Sequence, residues 1–472
     1  MSGVGTNLKW QYYDLRLGTK PMKSSTTLNN LGEEWRSIPS TQCLFGLWRA
    51  SSTKRFLDTL RADETQIGPS AIAAPASITN TLPIPAPQLH HLERNDDDER
   101  NDEFAFDDLP PFPENVPTAP LLRLNLNRLL QGNSQETEKL WTACRDIGFF
   151  YLDLRDGQAG KRDSFHEEAV TTQLDGNGLL EDAAHLFTLG EKLFMLPTEE
   201  KQQYDFKDRG SYFGYKGLGA GVIDSQGTRD RNEFYNVSKD DLLGIGDPLP
   251  APNVLKQVDS RKLLESYMRR SHAIVSLILS LLDGKLGLRA GTLENLHRLD
   301  AVSGDQVRWV RSPPQVMDGR QMSLGEHTDF GSITILFNRL GGLQVLPPGS
   351  DEWRYVKPLN GHCIVNLGDA MVKFTAGILR SNIHRVVSPP QGQGHMTRMS
   401  LVYFARPEDD VVLKPLEESE MVKTKRANQR SEGQDDEEIT AKDWILRRAL
   451  GRRVGGDYAT SGGTEAGRSK QF

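Results

Sequence analysis

The stretch GEHTDFGSITILFNRLGGLQVLPP (residues 325–348) decides how the chain is interpreted. It places His327 and Asp329 two positions apart at the start of a β-like run. Side chains two apart on an extended strand share a face, so both residues could contact one metal ion. The pair alone is weak evidence, because a chain with 10 histidines readily contains a chance His-x-Asp. The interpretation therefore depends on the rest of the chain.

A second histidine and an Arg-x-Ser pair follow downstream. His384 lies in GHCIVNLGDAMVKFTAGILRSNIHRV (residues 361–386), and Arg398 and Ser400 follow it. Two imidazoles and one carboxylate leave one face of a six-coordinate ion open, an arrangement typical of non-haem iron(II). A closed zinc site would use a fourth protein ligand, and Cys363 has no paired spacing that suggests one. The sequence predicts an open iron site.

Arg398 and Ser400 would also share one face of a strand. Arg offers a planar donor fork that matches a carboxylate, and the Ser hydroxyl adds another donor. An isolated Arg-x-Ser would usually be an ordinary surface pair. After the two histidines and the aspartate, it instead predicts an anchor for one end of a dicarboxylic co-substrate.

Composition favours a small-molecule partner. The 472 residues carry 57 basic and 64 acidic side chains, a formal net charge of -7, which gives no general attraction for nucleic acid or anionic lipid. The 3 cysteines lack paired spacing, which fits a reducing compartment. No run reaches the ~20 apolar residues of a membrane span, and the first residues do not resemble a secretion signal. We expect a cytoplasmic monomer, with the nucleus not excluded, that binds neither nucleic acid nor membrane.

Composition and periodicity divide the chain into five segments. They are an irregular or disordered N-terminal extension (1–117), a strand and helix region (118–245), support helices (246–306), a β-rich core (307–410) and a polar tail with a short C-terminal helix (411–472). The extension is rich in Pro, Ala and charged residues, a composition that buries too little apolar area to fold.

Apolar periodicity predicts helices at residues 180–194 and 262–282. Between residues 307 and 406, short β-rich runs separated by Gly, Pro and Asn are typical of a sandwich or barrel. In the tail, Trp444 and its neighbours predict an amphipathic helix that docks on the domain. Binding of that helix to a partner protein is the alternative.

The motifs together resemble the isopenicillin N synthase-like branch of the 2-oxoglutarate/iron(II) dioxygenases, closest to its fungal members. The resemblance spans residues 120–410 and is carried by ACRDIGFFYL (143–152), by residues 199–241 and by the two segments quoted above. It implies an α+β fold with a mainly β core, a double-stranded β-helix (jelly roll) with flanking support helices.

The resemblance also implies cofactors and site residues. His327, Asp329 and His384 would bind Fe(2+), and Arg398 and Ser400 would anchor the C5 carboxylate of 2-oxoglutarate. O2 would be the second co-substrate, with ascorbate as an auxiliary reductant.

The chain departs from the family pattern at one place. Family members often carry a Tyr that also contacts the 2-oxoglutarate carboxylate, and this chain has Ser312 there. Ser312 is therefore a shorter candidate contact for the co-substrate.

The Gly-rich stretch within residues 199–241 resembles the family's substrate-facing loop. On that basis Tyr212, Tyr215, Arg231 and Tyr235 are candidate substrate-binding residues. Structural packing is the alternative role for each of them.

The expected reaction is oxidation of a small organic substrate, with release of succinate and CO2. Hydroxylation, desaturation and ring closure all remain open. One alternative is an iron oxidase of the same fold that does not use 2-oxoglutarate, which the departure at Ser312 leaves open. Another is a non-catalytic ligand-binding jelly roll, which the intact His-Asp-His set disfavours.

Overall fold

The computed structural model describes residues 105–155, 174–314, 322–431 and 437–463. Most of the predicted N-terminal extension (1–117) lies outside the described residues. Its described end, residues 105–117, forms no helix or strand.

Two β-sheets form the centre of the fold. Their strands are β1 Leu122–Asn125, β2 Phe149–Asp153, β3 Gly214–Lys216, β4 Glu233–Ser238, β5 Gln306–Ser312, β6 Met322–His327, β7 Ile333–Asn338, β8 Leu343–Val345, β9 Arg354–Tyr355, β10 His362–Leu367, β11 His384–Val387 and β12 Arg398–Ala405. The larger sheet has the order β1-β2-β10-β7-β12-β5-β4-β3, and the smaller has β6-β11-β8-β9. Apolar side chains of both sheets pack together, among them Phe149 and Ile364 with Leu343 and Val345. This is the predicted jelly roll.

Helices surround the sheets. They are α1 Leu126–Leu130, α2 Ser134–Thr142, α3 Gly176–Phe194, α4 Thr198–Gln202, α5 Lys239–Leu243, α6 Asn253–Lys256, α7 Val258–Leu286, α8 Asp369–Phe374, α9 Glu420–Ser431 and α10 Ala441–Gly451. The two predicted support helices are confirmed: α3 begins before its predicted start, and α7 extends beyond both predicted ends. Among the described helices, none combines the length and the apolar character needed to cross a bilayer.

Strand alternation separates the two faces of the large sheet. On β7, Ile333, Ile335 and Phe337 join the main hydrophobic core, which also contains residues of α3 and α7. Thr334 and Leu336 point the other way, into a cavity. Because side chains alternate along a strand, strands at the centre of this sheet contribute to the core on one face and to the cavity on the other.

The large sheet extends beyond the segment predicted to be the β-rich core. Strands β1 to β4 belong to it, although the sequence placed their residues in a separate N-terminal region. Strands β3 and β4 lie in the stretch interpreted as a Gly-rich loop. Strand β3 has only three residues, too few to show a period, and the interpretation as a loop was wrong for both strands.

A π-helical turn, Ala143–Ile147, joins α2 to β2 and ends at Gly148, whose φ is 76°. A Cβ on Gly148 would lie against the carbonyl oxygen of Arg380. The backbone N–H of Arg380 donates to the Cys144 carbonyl over 3.0 Å. The turn is therefore fixed directly against the segment that leads into β11, and only glycine fits there.

Two helical glycines offer a matched test of the packing. A Cβ on Gly190 in α3 would lie 2.6 Å from Trp309 Cδ1, whereas one on Gly284 in α7 would meet nothing within 4 Å. Trp309 is fully buried, and its indole N–H donates to the Leu186 carbonyl over 2.8 Å, so it cannot move aside easily.

We expect Gly190→Ala to lower the free energy of unfolding by about 1–3 kcal/mol through overpacking. Gly284→Ala should raise it by up to about 1 kcal/mol, because alanine favours a helix more than glycine does. Urea unfolding of both variants measures the difference. Equal effects of the two substitutions would contradict the packing described for α3.

Candidate metal centre and cavity

Two histidines and an aspartate converge between the sheets. His327 ends β6, His384 begins β11, and the two residues are paired directly across the antiparallel ladder. The Nε2 atoms of both rings lie 3.9 Å from Asp329 Oδ1. Asp329 lies two residues after the end of β6, not within the strand as predicted. The chain just after the strand therefore places its carboxylate beside His327.

Hydrogen bonds orient both imidazoles. His327 Nδ1 lies 2.8 Å from the Gly325 carbonyl, and His384 Nδ1 lies 3.1 Å from the Asn382 carbonyl. A carbonyl can only accept, so each Nδ1 donates to it, and each Nε2 is turned toward Asp329. Burial, followed by the neighbouring His384, holds the pKa of His327 well below its usual value. The His327 ring is therefore neutral near pH 7 and able to bind a metal.

Asp329 is oriented in the same way. Its Oδ2 accepts hydrogen bonds from the Thr334 hydroxyl and the Asn366 amide, each over 2.6 Å. Burial by itself would raise the pKa of Asp329, but the two imidazoles and these two donors outweigh burial and lower it. The carboxylate is thus ionised, with Oδ1 left facing the two Nε2 atoms.

The donor set fits one iron(II) ion. The ligand atoms of the three residues all lie within 4.8 Å of one another, and no other such His/Cys/Asp/Glu group exists among the described residues. Two imidazole nitrogens, one ionised oxygen and an adjoining cavity match the open site of non-haem iron proteins. A closed zinc site would need a fourth ligand, and the buried free Cys363 points into the opposite core.

Arg398 lies in the same cavity. It is buried, its Nε donates to the Gly341 carbonyl over 2.8 Å, and one terminal nitrogen donates to Ser400 Oγ over 2.6 Å. Burial lowers the pKa of Arg398 to about 10, which leaves it protonated at neutral pH. Ser312 pairs with Arg398 across β5 and β12, and its hydroxyl is hydrogen-bonded to Ser323 over 2.7 Å. The structure therefore brings Arg398, Ser400 and Ser312 together.

Of the four candidate substrate residues, only Tyr212 lines the cavity. Tyr215 pairs with Tyr235 on the opposite face of β3 and β4, and the Tyr215 hydroxyl donates to Glu233 over 2.6 Å. Arg231 is likewise absent from the cavity wall. Strand alternation turns the two tyrosines away from the cavity and Arg231 is not part of its wall, so a substrate role for these three residues stays a prediction.

Other residues take their place, and two of them, Lys216 and Asn232, belong to the same Gly-rich stretch that resembles the family's substrate-facing loop. The neighbouring positions in the alternation line the cavity instead, together with cations from β5, the end of β12 and the C-terminal region. They are Lys216, Asp230, Asn232, Phe234, Arg308, Phe404, Arg406, Arg452 and Arg453. The empty space that these residues line measures about 1330 Å³, a volume that includes open solvent at the mouth.

Comparison with known proteins gives the family. A family model of the 2OG-Fe(II) oxygenase superfamily matches residues 300–407, and one described as non-haem dioxygenase in morphine synthesis, N-terminal, matches residues 119–255. A 2-oxoglutarate-dependent dioxygenase of Aspergillus fumigatus is 32% identical over 330 residues, covering 65% of this chain and 80% of that protein. The chain belongs to the 2OG-Fe(II) oxygenase superfamily.

Other relatives agree with this membership. The 2-oxoglutarate-dependent dioxygenase gloE of Glarea lozoyensis is 32% identical over 302 residues, covering 63% of this oxygenase and 82% of gloE. The crystal structure of a full-length Neurospora crassa protein in complex with alpha-KG superposes with a TM-score of 0.55 at 21% identity, covering 71% of this chain and 97% of that one. The predicted family, jelly-roll fold, enzyme class and use of iron(II) and 2-oxoglutarate are confirmed.

Helix α10, near the C-terminus, contacts the loop of this oxygenase that carries Asp329. The helix lies outside both regions that the family models match. Arg448 is fully buried, forms an ion pair with Asp369, and donates to the Thr328 carbonyl over 3.2 Å. The backbone N–H of Asp369 donates to the Asp329 carbonyl over 2.8 Å. Trp444 donates its indole N–H to the Phe330 carbonyl over 3.0 Å. The helix thus packs on the domain and holds the loop that carries Asp329.

The two donors to Asp329 Oδ2 should tune metal affinity. We expect Thr334→Val to weaken iron(II) binding about 10–100-fold, because it removes a hydroxyl that orients the ligand while keeping the side-chain shape. Thr334→Ser retains the hydroxyl and is the matched control. Anaerobic titration with iron(II) measures both. Equal losses in the two variants would rule out a role for the hydroxyl.

The buried ion pair of α10 should dominate the stability of the tail. We expect Arg448→Ala to cost about 3–5 kcal/mol of unfolding free energy, because it removes the cation from a fully buried ion pair with Asp369. Arg447→Ala, one residue earlier, removes a partly exposed pair with Glu437 and a contact with the Trp444 ring, and should cost about 1 kcal/mol. Urea unfolding compares the two, and similar costs would mean that α10 is not fixed through Arg448.

Proposed function

We propose that His327, Asp329 and His384 bind the iron(II) of this oxygenase, and that Arg398 with Ser400 binds the C5 carboxylate of 2-oxoglutarate. The observation that carries this proposal is the convergence of two imidazole Nε2 atoms and one carboxylate oxygen inside a cavity that also contains Arg398. A small organic substrate would bind in the remaining space.

When bound, iron and 2-oxoglutarate supply the oxidising chemistry, in which O2 is activated as 2-oxoglutarate is converted to succinate and CO2. The protein's own residues bind and orient the reactants. The carbonyls of Gly325 and Asn382 keep the imidazole Nε2 atoms available, while Thr334 and Asn366 hold Asp329. Apolar neighbours exclude water from the centre, among them Phe149, whose ring meets that of His384 edge-on at 5.2 Å.

Arg398 would hold the far end of the co-substrate. Its guanidinium is buried and protonated, and no carboxylate of a described residue forms an ion pair with it. Ser400 and Ser312 flank it on β12 and β5. The Ser312 hydroxyl would reach the carboxylate only at its edge, since the side chain is short and already bonded to Ser323.

We also propose a monomeric, cytoplasmic enzyme that acts on a small molecule rather than on nucleic acid or at a membrane. The net charge of -7 and the cavity beside the His-Asp-His centre support a small-molecule substrate. In the proposed domain division, the polar tail (411–472) carries helix α10, which contacts the loop that holds Asp329.

The ligand assignment predicts a separation of two binding functions. His327→Ala and Asp329→Ala should each abolish stoichiometric iron(II) binding. Arg398→Ala should leave iron binding intact and weaken 2-oxoglutarate roughly 10–100-fold, because it removes charge-assisted hydrogen bonds. Metal content and 2-oxoglutarate titration of the purified variants measure these effects. Retained iron stoichiometry in both ligand variants would refute the assignment.

The alternative is an oxidase that does not use 2-oxoglutarate. It is tested by measuring whether succinate release accompanies oxygen uptake. Purified protein with iron(II), ascorbate and 2-oxoglutarate is screened with candidate substrates for succinate release and oxygen uptake. We expect the two to occur together. Turnover that is unchanged when 2-oxoglutarate is omitted would favour the oxidase.

A further inference from the structure

The cavity contains two guanidinium groups that the proposed metal and 2-oxoglutarate sites do not use. Arg308 lies on β5, four residues before Ser312, and Arg406 lies just after the end of β12. A strand advances about 3.4 Å per residue, so roughly 13 Å of β5 separate Arg308 from the Arg398 end of the cavity. We call Arg308 and Arg406 the arginine pair.

The arginine pair has only neutral hydrogen-bond acceptors among the described residues. Arg308 Nε donates to the Asn236 side-chain oxygen over 2.6 Å, and Arg406 donates to the Gly304 carbonyl. Arg406 Nε is buried and has no hydrogen-bond partner in the described part of the chain. Neither guanidinium has an ion pair with a described carboxylate.

Two other cations of the cavity already have ion-pair partners. Lys216 forms an ion pair with Asp230, and Arg453 forms one with Asp205 over 2.5 Å. Asp329 faces the metal position. The arginine pair therefore has no ion-pair partner among the described residues, while the Asp305 carboxylate accepts from the backbone N–H of Arg406 over 2.7 Å, and Arg452 adds a further cation to the wall.

Aromatic rings hold the two guanidiniums near each other. The Phe404 ring centroid lies 4.9 Å from Arg308 Cζ and 5.5 Å from Arg406 Cζ. Arg308 also lies over Phe234 at 4.2 Å, and Arg406 lies over Tyr212 at 5.2 Å. These contacts fix both cations at defined positions, as a binding site requires.

Two guanidinium groups held near each other in the cavity are energetically unfavourable when no anion is bound. Burial and then the charge of Arg406 lower the pKa of Arg308 to about 9, so Arg308 still remains charged at neutral pH. Like charges in a poorly solvated site repel each other, and a bound carboxylate would offset both the repulsion and the lost hydration. A guanidinium also matches the two oxygens of a carboxylate geometrically.

The wall near the arginine pair is mainly apolar. It includes Val222, Phe234, Leu336, Val402 and Phe404. A ligand held there by its charged end would place an apolar body along this wall. The shared chemistry is that of an organic carboxylic acid.

We propose that the organic substrate of this oxygenase is a carboxylic acid with an apolar body, whose carboxylate binds Arg308 and Arg406. This inference rests on the proposed function, since it places the apolar body between the arginine pair and the His-Asp-His centre. The carboxylate of the substrate and that of 2-oxoglutarate would then occupy separate arginine sites in one cavity.

A matched pair of probes tests the arginine pair directly. The enzyme is loaded with Mn(II) and saturating 2-oxoglutarate, so that the Arg398 site is filled and no turnover occurs. Calorimetric titration then compares 4-phenylbutyrate with its neutral isostere 4-phenylbutyramide. We expect the acid to bind at least about 10-fold more tightly than the amide, a factor equivalent to about 1.4 kcal/mol.

Substitutions test whether the preference for the acid over the amide depends on the arginine pair. Arg308→Gln and Arg406→Gln should each reduce the acid-over-amide preference to less than about twofold, with 2-oxoglutarate affinity unchanged within about twofold. Arg311→Gln is the matched control, because Arg311 lies on the same strand but pairs with Glu233 outside the cavity. It should keep the full preference. Unchanged 2-oxoglutarate binding also shows that each variant is folded.

The inference would be overturned if the wild-type enzyme bound both probes equally or neither, or if both arginine variants kept the preference. The inference would also be overturned if Arg308→Gln lost affinity for 2-oxoglutarate while Arg398→Ala kept it. That result would assign 2-oxoglutarate to the arginine pair. Failure of the proposed function looks different, because 2-oxoglutarate and Mn(II) would then fail to bind the wild-type protein in the loading step.

Discussion

The antiparallel pairing of β6 with β11 is the constraint on which the rest of the site depends. It sets His327 directly opposite His384. Because side chains alternate along a strand, a slip of one residue would turn one imidazole to the opposite face. The carbonyls two residues before each histidine, at Gly325 and Asn382, then set the ring orientation. Backbone register therefore fixes the two nitrogen ligands, and side-chain hydrogen bonds to Asp329 fix the oxygen ligand.

The sequence was informative wherever chemistry and spacing coincide in a short stretch. His-x-Asp, the later histidine and Arg-x-Ser identified the residues that the structure brings into one cavity. The long helices were predicted because their apolar period repeats over several turns. In QVRWVRS the alternation of Val307 and Trp309 with Arg308 was visible, and it would have placed Arg308 on the face opposite the core.

The sequence was uninformative where contacts join distant residues or where strands are short. Tyr215 and Tyr235 resembled substrate residues, but the register of β3 and β4 decides their direction and three residues do not reveal a register. Arg448 and Asp369 are 79 residues apart, and no local pattern links them. The only sequence signal for this ion pair was the position of Arg448 on the apolar side of a short helix. Its partner, Asp369, could be identified only in the folded chain.

The π-helical turn before β2 has a consequence for how this oxygenase could be recombined with its relatives. Gly148 lies against Arg380, and the same segment supplies the Asn382 carbonyl that orients His384. Strands β1 and β2 also complete the sheet that carries Asn366 and Thr334. The two regions matched by separate family models are thus interlocked rather than modular. A chimaera that exchanged the N-terminal region alone would have to carry residues 143–148 and 380–384 from one parent to keep the second imidazole in place.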